Sequence, residues 1–307
     1  MRSEAKNLVI VLGPTAVGKS ATAILLAKRF QGEIINCDSM QVYKGFDIGT
    51  DKIPLSQRYD IPHHLIDIAD PSIQFTAAEF VKQALAAAAS IHAKKKLPII
   101  AGGTGLYLKA LLDGLFPEEI KDPTIRRDLE RQARDKGLEY LRDRLLQVDP
   151  IYANKLGRRD KIRIIRGLEV FIATGKPISV HFQNTRSPVG DFHILKIGLK
   201  LDRPLIYGKI EARVDRMFER GIVEETQSLL AEGVQPDSPP FRALGYRQVM
   251  NHLKGELSLE EAIDLTKMET RNYAKRQMTW FRKMPGIRWF PAEDFPSISD
   301  YVKIHLK

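Results

Sequence analysis

The sequence predicts an α/β fold: a parallel sheet flanked by helices, interrupted by an inserted all-helical domain. Three observations carry this reading. Apolar strand-like runs followed by amphipathic helical patterns recur through the first third of the 307 residues. Strand texture then vanishes after Pro117, and it returns at Phe192 to Leu199 before helices resume to about Met284. The expected division is residues 1–118 as the first part of the core, 119–191 as the insertion, and 192–307 as the second part with C-terminal helices.

The first strand, Leu8 to Leu12, runs into Gly13-Pro14-Thr15-Ala16-Val17-Gly18-Lys19-Ser20 and then into the helical pattern from Ala21. A strand, a glycine-rich turn and a helix in this order form a phosphate cradle, so the core is of the P-loop type. Gly13 and Gly18 allow the tight turn that aims backbone N–H groups at one anion, and the helix N-terminus adds partial positive charge. Lys19 supplies a full charge, while Ser20 offers a hydroxyl where such loops hold Mg²⁺. The motif leaves open which polyphosphate is held.

Two further strands, Glu33 to Cys37 and Leu97 to Ala101, end in Asp38-Ser39-Met40-Gln41 and Gly102-Gly103-Thr104-Gly105. In a parallel sheet, ligands bind at the carboxyl ends of strands, so three loops converge on one rim. Asp38 can accept a proton, hold Mg²⁺ through water, or cap the next turn. The third strand lacks the acidic end that a nucleotide-hydrolysing site would use for its metal. Thr76 to Glu79 is a capping box opening the helix Ala77 to Lys94. His63 and His64 are adjacent in an extended stretch, so their side chains diverge and a shared metal is not expected.

The inserted segment predicts helices at Pro123 to Lys136, Leu138 to Gln147 and Lys161 to Thr174, the last closed by Gly175-Lys176-Pro177. The 48 Lys and Arg against 38 Asp and Glu give +10, and the excess is clustered. Residues 155–166 hold six basic residues and one acidic, and residues 269–283 hold five and one, interleaved with Tyr273, Trp280 and Phe281. Such clusters suit RNA, although a solvated helix face has the same composition. A single cysteine, Cys37, excludes an internal disulfide and a cysteine-rich zinc module. No apolar run reaches membrane-spanning length and no signal sequence precedes the first strand, so a cytoplasmic protein is expected.

The segments GPTAVGKS, NCDSMQVYKGFDIGTDK, IPHHLID, AGGTGLY, RALGYRQ and TRNYAKRQMTWFR, in this order over nearly the whole chain, resemble the bacterial tRNA dimethylallyltransferase (tRNA isopentenyltransferase) family. The resemblance implies Mg²⁺-dependent transfer of a dimethylallyl group from dimethylallyl diphosphate to the exocyclic amine of the adenosine 3′-adjacent to the anticodon, releasing pyrophosphate. It implies that Gly13 to Ser20 hold the diphosphate, with Ser20 on Mg²⁺. Asp38 would be the general base, Thr104 would lie near the bridging oxygen of the donor, and Arg213 would stabilise the departing pyrophosphate.

For the tRNA, the resemblance implies contacts from Asp38, Ser39, Met40 and Gln41, from Arg126, and from Ile162, Arg163, Ile164, Ile165 and Arg166. It adds Arg242, Gly245, Tyr246, Arg247, Lys275, Arg276, Gln277 and Trp280. Arg163, Arg166, Arg247 and Arg276 are the preferred contacts, and Ile162, Ile164 and Ile165 read as helix core. The insertion would grip the anticodon stem-loop, and a monomer with no membrane partner is expected. A small-molecule kinase would share the cradle but leave the basic insertion unexplained. A non-catalytic RNA-binding protein would leave Lys19 and Asp38 unexplained.

Overall fold

The computed structural model describes residues 6–114, 122–183 and 185–307. The expected boundary at residue 119 lies outside the described residues. The chain divides into two compact units, Met1–Lys109 with Asp191–Lys307, and Ala110–Gly190. The second unit thus begins inside a helix, earlier than the change in sequence texture at Pro117.

In the first unit, a six-stranded parallel sheet has the order β3-β2-β4-β1-β5-β6. Its strands are β1 (Lys6–Leu12), β2 (Gly32–Cys37), β3 (His63–His64), β4 (Leu97–Gly102), β5 (Phe192–Lys200) and β6 (Ile287–Pro291). The strand β6 was not expected, because Ile287-Arg288-Trp289-Phe290-Pro291 is short and mixes a cation with aromatics; pairing with β5 makes it a strand. The helices of this unit are α1 (Lys19–Phe30), α2 (Ala77–Ala93) and α3 (Gly105–Asp113), the last crossing into the second unit. After β5 come α9 (Arg203–Glu219), α10 (Ile222–Ala231), α11 (Tyr246–Leu253), α12 (Leu259–Phe281) and α13 (Phe295–His305).

The sheet is buried on both faces, as parallel sheets are. Val9, Val11, Ile34, Ile99, Ile197 and Leu199 pack with Ala23, Ile24, Leu26 and Ala27 of α1 and Ile298 and Val302 of α13. Alternation sends Leu8, Ile10 and Leu12, which are equally buried, to the opposite face. Thr76 Oγ1 accepts from Glu79 N and so caps α2. The longest helix, α12, opens with a reciprocal box in which Ser258 and Glu261 satisfy each other's backbone N–H.

The second unit holds α4 (Pro123–Asp135), α5 (Leu138–Val148), α6 (Pro150–Ala153), α7 (Lys161–Thr174) and α8 (Ile178–Gln183). Asp122 caps α4, and Gly175 closes α7 in the left-handed region at φ 69°, just before Pro177. Leu129, Leu141, Leu145, Ile164, Ile165 and Leu168 form the core between α4, α5 and α7. Asp149 is buried and accepts from Tyr152 N and Ser179 N, joining α6 to α8.

At the amino-terminal end of β2, Glu33 is 1% exposed and accepts from His64 Nε2, Lys94 Nζ and Lys96 Nζ. Burial pushes this carboxyl up, but the hydrogen bonds from His64, Lys96 and Lys94 outweigh it and hold it at about 2, below its ordinary 4.5. The ionised form therefore stabilises the fold fully above pH 4.5, and that contribution is lost as pH falls toward 2. In chemical denaturation across this window, Glu33→Gln is expected to destabilise the protein near neutrality and to flatten the acid-side fall in stability. A fall as steep as in the unmodified chain would show that another carboxylate governs it.

Candidate active site

The chain leaves β1 at Leu12 and turns through Gly13, whose φ of 153° and close approach to the Leu199 carbonyl leave no room for a side chain; a Cβ there would lie 2.8 Å from that oxygen. Ala16 takes φ 63°, and Gly18, at φ 103°, caps α1, so helix formation starts at Lys19. The first-turn N–H groups of a helix have no partner within it, which suits an anion. Thr15, Ala16, Gly18, Lys19 and Ser20 line a cavity of about 1010 Å³. Gly13, Pro14 and Val17 are set back from that lining. Gly13 packs on β5, Val17 is fully buried in the sheet core, and Pro14 contributes only its carbonyl, which accepts from Lys19 Nζ at 2.7 Å.

The same cavity is lined by Asp38, Ser39, Met40, Gln41, Asp51 and Arg213. Its lining carries seven lysines and arginines against three carboxylates. Burial pushes the Lys19 ammonium down from 10.5 to about 8, and the positive charge of Arg213 adds to the fall. Arg213 Nη1 reaches Asp51 Oδ2 at 3.3 Å, but its Nε is buried without a hydrogen-bond partner among the described residues. A buried, unpartnered guanidinium N–H beside a depressed lysine suits an anion.

Asp38 closes β2 on this rim. Its Oδ1 accepts from Met40 N at 2.8 Å and Gln41 N at 3.3 Å, which fixes the turn and leaves Oδ2 without a partner among the described residues. Gln41 Nε2 donates to the carbonyls of Thr50 and Asp51. Thr104 Oγ1 accepts from Ser39 N at 3.1 Å, tying the β4 loop to the β2 loop while its own hydroxyl proton stays available. Thr104 is not part of the cavity lining. Thr104 is half-buried, and its contact on Ser39 holds it at the rim formed by the β2 and β4 loops.

Two clamps escaped the sequence reading. Gln277, on α12, accepts from Thr15 N at 2.8 Å and donates to Gly103 O at 2.9 Å, so one buried amide joins the phosphate loop to the β4 loop. Glu225, on α10, accepts from Asp47 N and Ile48 N and from the Tyr246 hydroxyl, and Tyr246 Oη accepts from Gly49 N. Burial and the Glu225 charge keep the Tyr246 phenol protonated. Lys52 adds a third brace, donating to Tyr43 O, Asp47 and Asp67. The pair Glu224-Glu225 reads locally as ordinary first-turn acids, so no sequence signal marked its role.

These contacts correct part of the expected RNA surface. Gln277 is 6% exposed with both amide groups engaged, and Gly245 and Tyr246 are buried, so these three support the site from within. Ile164 and Ile165 belong to the core of the second unit. Ile162, which reads as core, is instead 70% exposed. Arg242, Arg247 and Arg276 are exposed and line the cavity, with Arg247 paired to Glu269. Lys275 is exposed, and Trp280 packs against Gly105. In the second unit, Arg163 is exposed on α7, while Arg166 and Arg126 converge on the buried Glu169, at 2.9 Å and 3.9 Å.

Against this geometry, the family model for IPP transferase matches residues 41–284. The chain belongs to the IPP transferase family. It is 48% identical over 295 residues to the tRNA dimethylallyltransferase of Geobacter sulfurreducens, covering 95% of this chain and 94% of that relative. Its structure is similar to that of the full-length tRNA isopentenylpyrophosphate transferase from Bacillus halodurans, at 38% identity and a TM-score of 0.73, covering 98% and 97% of the two chains. It is also similar to a eukaryotic dimethylallyltransferase described as acting on tRNA, at 31% identity and a TM-score of 0.81, over 96% of this chain and 75% of that one.

For this IPP transferase family member, Gln277 separates support from RNA contact. Gln277→Leu leaves Thr15 N–H and Gly103 C=O buried without partners, at a cost of about 1–3 kcal/mol for each. Lower stability and weaker pyrophosphate binding with unchanged RNA affinity are expected. Lost RNA affinity at unchanged stability would restore the surface role.

Proposed function

We propose that the cavity binds dimethylallyl diphosphate and that the chain transfers its dimethylallyl group to the exocyclic amine of the adenosine 3′-adjacent to the anticodon of a tRNA. As a family member, the chain is a tRNA-prenylating transferase. The finer reading rests chiefly on one observation: the depressed Lys19 and the unpartnered Nε of Arg213 share one cavity with Asp38. A prenyl diphosphate satisfies both cations, and its departure as pyrophosphate places growing negative charge on them, which is stabilisation aimed at the leaving group.

The amine nitrogen attacks the first carbon of the prenyl group while the bond from that carbon to the bridging oxygen breaks. The amine proton passes to Asp38, whose Oδ2 is free while Oδ1 is anchored by backbone N–H groups. Gln41, with its amide nitrogen held by Thr50 and Asp51, turns its oxygen toward an adenine donor edge. The base comes from an unpaired loop, where extrusion is easier than from a duplex.

The chain fits Mg²⁺ in a limited way. Among the described residues no group of three or more His, Cys, Asp or Glu gathers as a metal site. Ser20 Oγ and the Asp38 carboxylate are hard oxygen donors beside the cradle, and diphosphate and water would complete the shell, as is usual for Mg²⁺. When bound, Mg²⁺ would neutralise charge on the diphosphate. The basic α7 surface of the second unit, with Arg163 and the Glu169-held pair Arg126 and Arg166, is proposed to contact the anticodon stem-loop. Among the described residues, no helix is long and apolar enough to cross a membrane.

The test is transfer of label from dimethylallyl diphosphate to an unmodified anticodon stem-loop, with Mg²⁺ and without ATP. Labelled RNA is expected, and Asp38→Asn should slow single-turnover transfer by on the order of a hundredfold with stem-loop affinity retained. Transfer that requires ATP, or an unchanged rate in Asp38→Asn, would contradict the assignment. Pyrophosphate affinity should also fall as pH rises through about 8, where free Lys19 loses its proton, and should be low and flat in Lys19→Met. The same titration makes the ligand-free protein more stable from pH 8 toward 10.5, because the neutral amine removes the cost of burying charge.

A further inference from the structure

Helices α9 and α12 pack along one another, and their facing charges form a ladder. Lys267 Nζ lies 2.6 Å from Asp215 Oδ1, and one turn on, Arg271 Nη1 lies 2.7 Å from Glu211 Oε1. Each rung moves four residues forward in α12 and four back in α9, as antiparallel helices require. The next rung joins Lys275 to position 207, and there the ladder breaks its rule, because position 207 is a tyrosine and supplies no carboxylate.

Cations nevertheless gather at this rung. The Tyr207 ring centroid lies 5.1 Å from the Arg203 guanidinium, 5.9 Å from that of Arg271 and 6.0 Å from Lys275 Nζ. Arg203 Nε donates to Tyr207 Oη at 2.8 Å, which leaves the phenol proton free to be donated outward. Burial, the largest single influence, pushes the phenol up, but the hydrogen bonds and charges of Arg203 and Lys275 together outweigh it, so the pKa lies below the ordinary 10. Asp202, which precedes Arg203, forms no ion pair with it among the described residues. Arg203 and Lys275 are exposed, and Tyr207 and Arg271 are half-buried. The seam thus sets Arg203, Lys267, Arg271 and Lys275 against Asp215 and Glu211, with its surplus positive charge at the Tyr207 end.

We propose that Arg203, Tyr207, Arg271 and Lys275 bind a phosphodiester of the RNA substrate, the phosphate taking the place of the carboxylate absent from the third rung. The proposal rests on the tRNA reading above. Guanidinium forks match phosphate oxygens, and a phosphate accepts from Arg203, Lys275 and the phenol hydroxyl together. An RNA backbone fits because Arg276, the residue after Lys275, lines the cavity to which the target base must come. A phosphate contact here would fix register and carry no base specificity.

The experiment measures binding of full-length tRNA by fluorescence anisotropy across a salt series, with thermal melts confirming that each variant is folded. Arg203→Gln is expected to weaken binding by about threefold or more and to lower the slope of log affinity against log salt by about 0.7 to 0.9, the loss of one phosphate contact. Glu211→Gln, which frees Arg271 from its carboxylate, is expected to tighten binding by about twofold or more, a change of sign that a structural role would not give. Lys303→Gln, on the exposed face of α13, should alter neither quantity. An unchanged slope in Arg203→Gln, an equal loss in Lys303→Gln, or weaker binding in Glu211→Gln would overturn the proposal. Those outcomes with label transfer intact would sink this subsite alone, whereas failure of label transfer by the unmodified chain would sink the parent reading.

Discussion

Two partly buried cations, Lys19 and Arg213, line one cavity, and most of this structure can be understood as holding them there. Like charges in a poorly solvated space repel, and the repulsion is visible in the lysine, whose pKa falls to about 8 through burial and then through Arg213. Among the described residues only Asp51 pairs with Arg213, and it leaves the buried Nε unsatisfied. Such an arrangement is costly in the free protein and is offset when a polyanion enters. Electrostatic catalysis requires this kind of preorganisation, because the charges are placed before the reaction begins.

Keeping the cations in place requires rigid loops, and three polar side chains, two of them buried, supply the rigidity. Gln277 binds the phosphate loop to the β4 loop, Glu225 gathers the backbone of residues 47 and 48, and Lys52 braces the same segment from the other side. Gln277 and Glu225 come from helices distant in sequence from the loops they hold, whereas Lys52 belongs to the segment it braces. The helices α9 and α12 serve two purposes in this account, carrying Arg213 and Gln277 inward while presenting a row of charges outward.

The parts of this arrangement that are local in sequence were legible in advance. The phosphate loop announces itself because strand, glycines and helix lie within about twenty consecutive residues, and each glycine answers a backbone need visible at that position. The helical insertion was legible through periodicity and through the closing Gly175-Lys176-Pro177. The supporting contacts were not, because a polar residue in a basic helix looks the same whether it faces water or a buried carbonyl. Gln277 and Tyr246 were therefore assigned to the RNA surface, and Glu225 was passed over. Ile162 shows the converse error: its neighbours Ile164 and Ile165 follow the buried stripe of α7, but position 162 lies off that stripe. β6 was missed for a related reason, since its strand character comes from pairing with β5.

The most direct test of the central claim is a crystal structure of this chain with Mg²⁺ and an unreactive thiolo analogue of dimethylallyl diphosphate. The account predicts the diphosphate against the backbone of the phosphate loop, with oxygens within hydrogen-bond distance of Lys19 Nζ and Arg213 Nε and the prenyl group directed toward Asp38. A diphosphate bound elsewhere, or Arg213 Nε still without a partner in the complex, would contradict it.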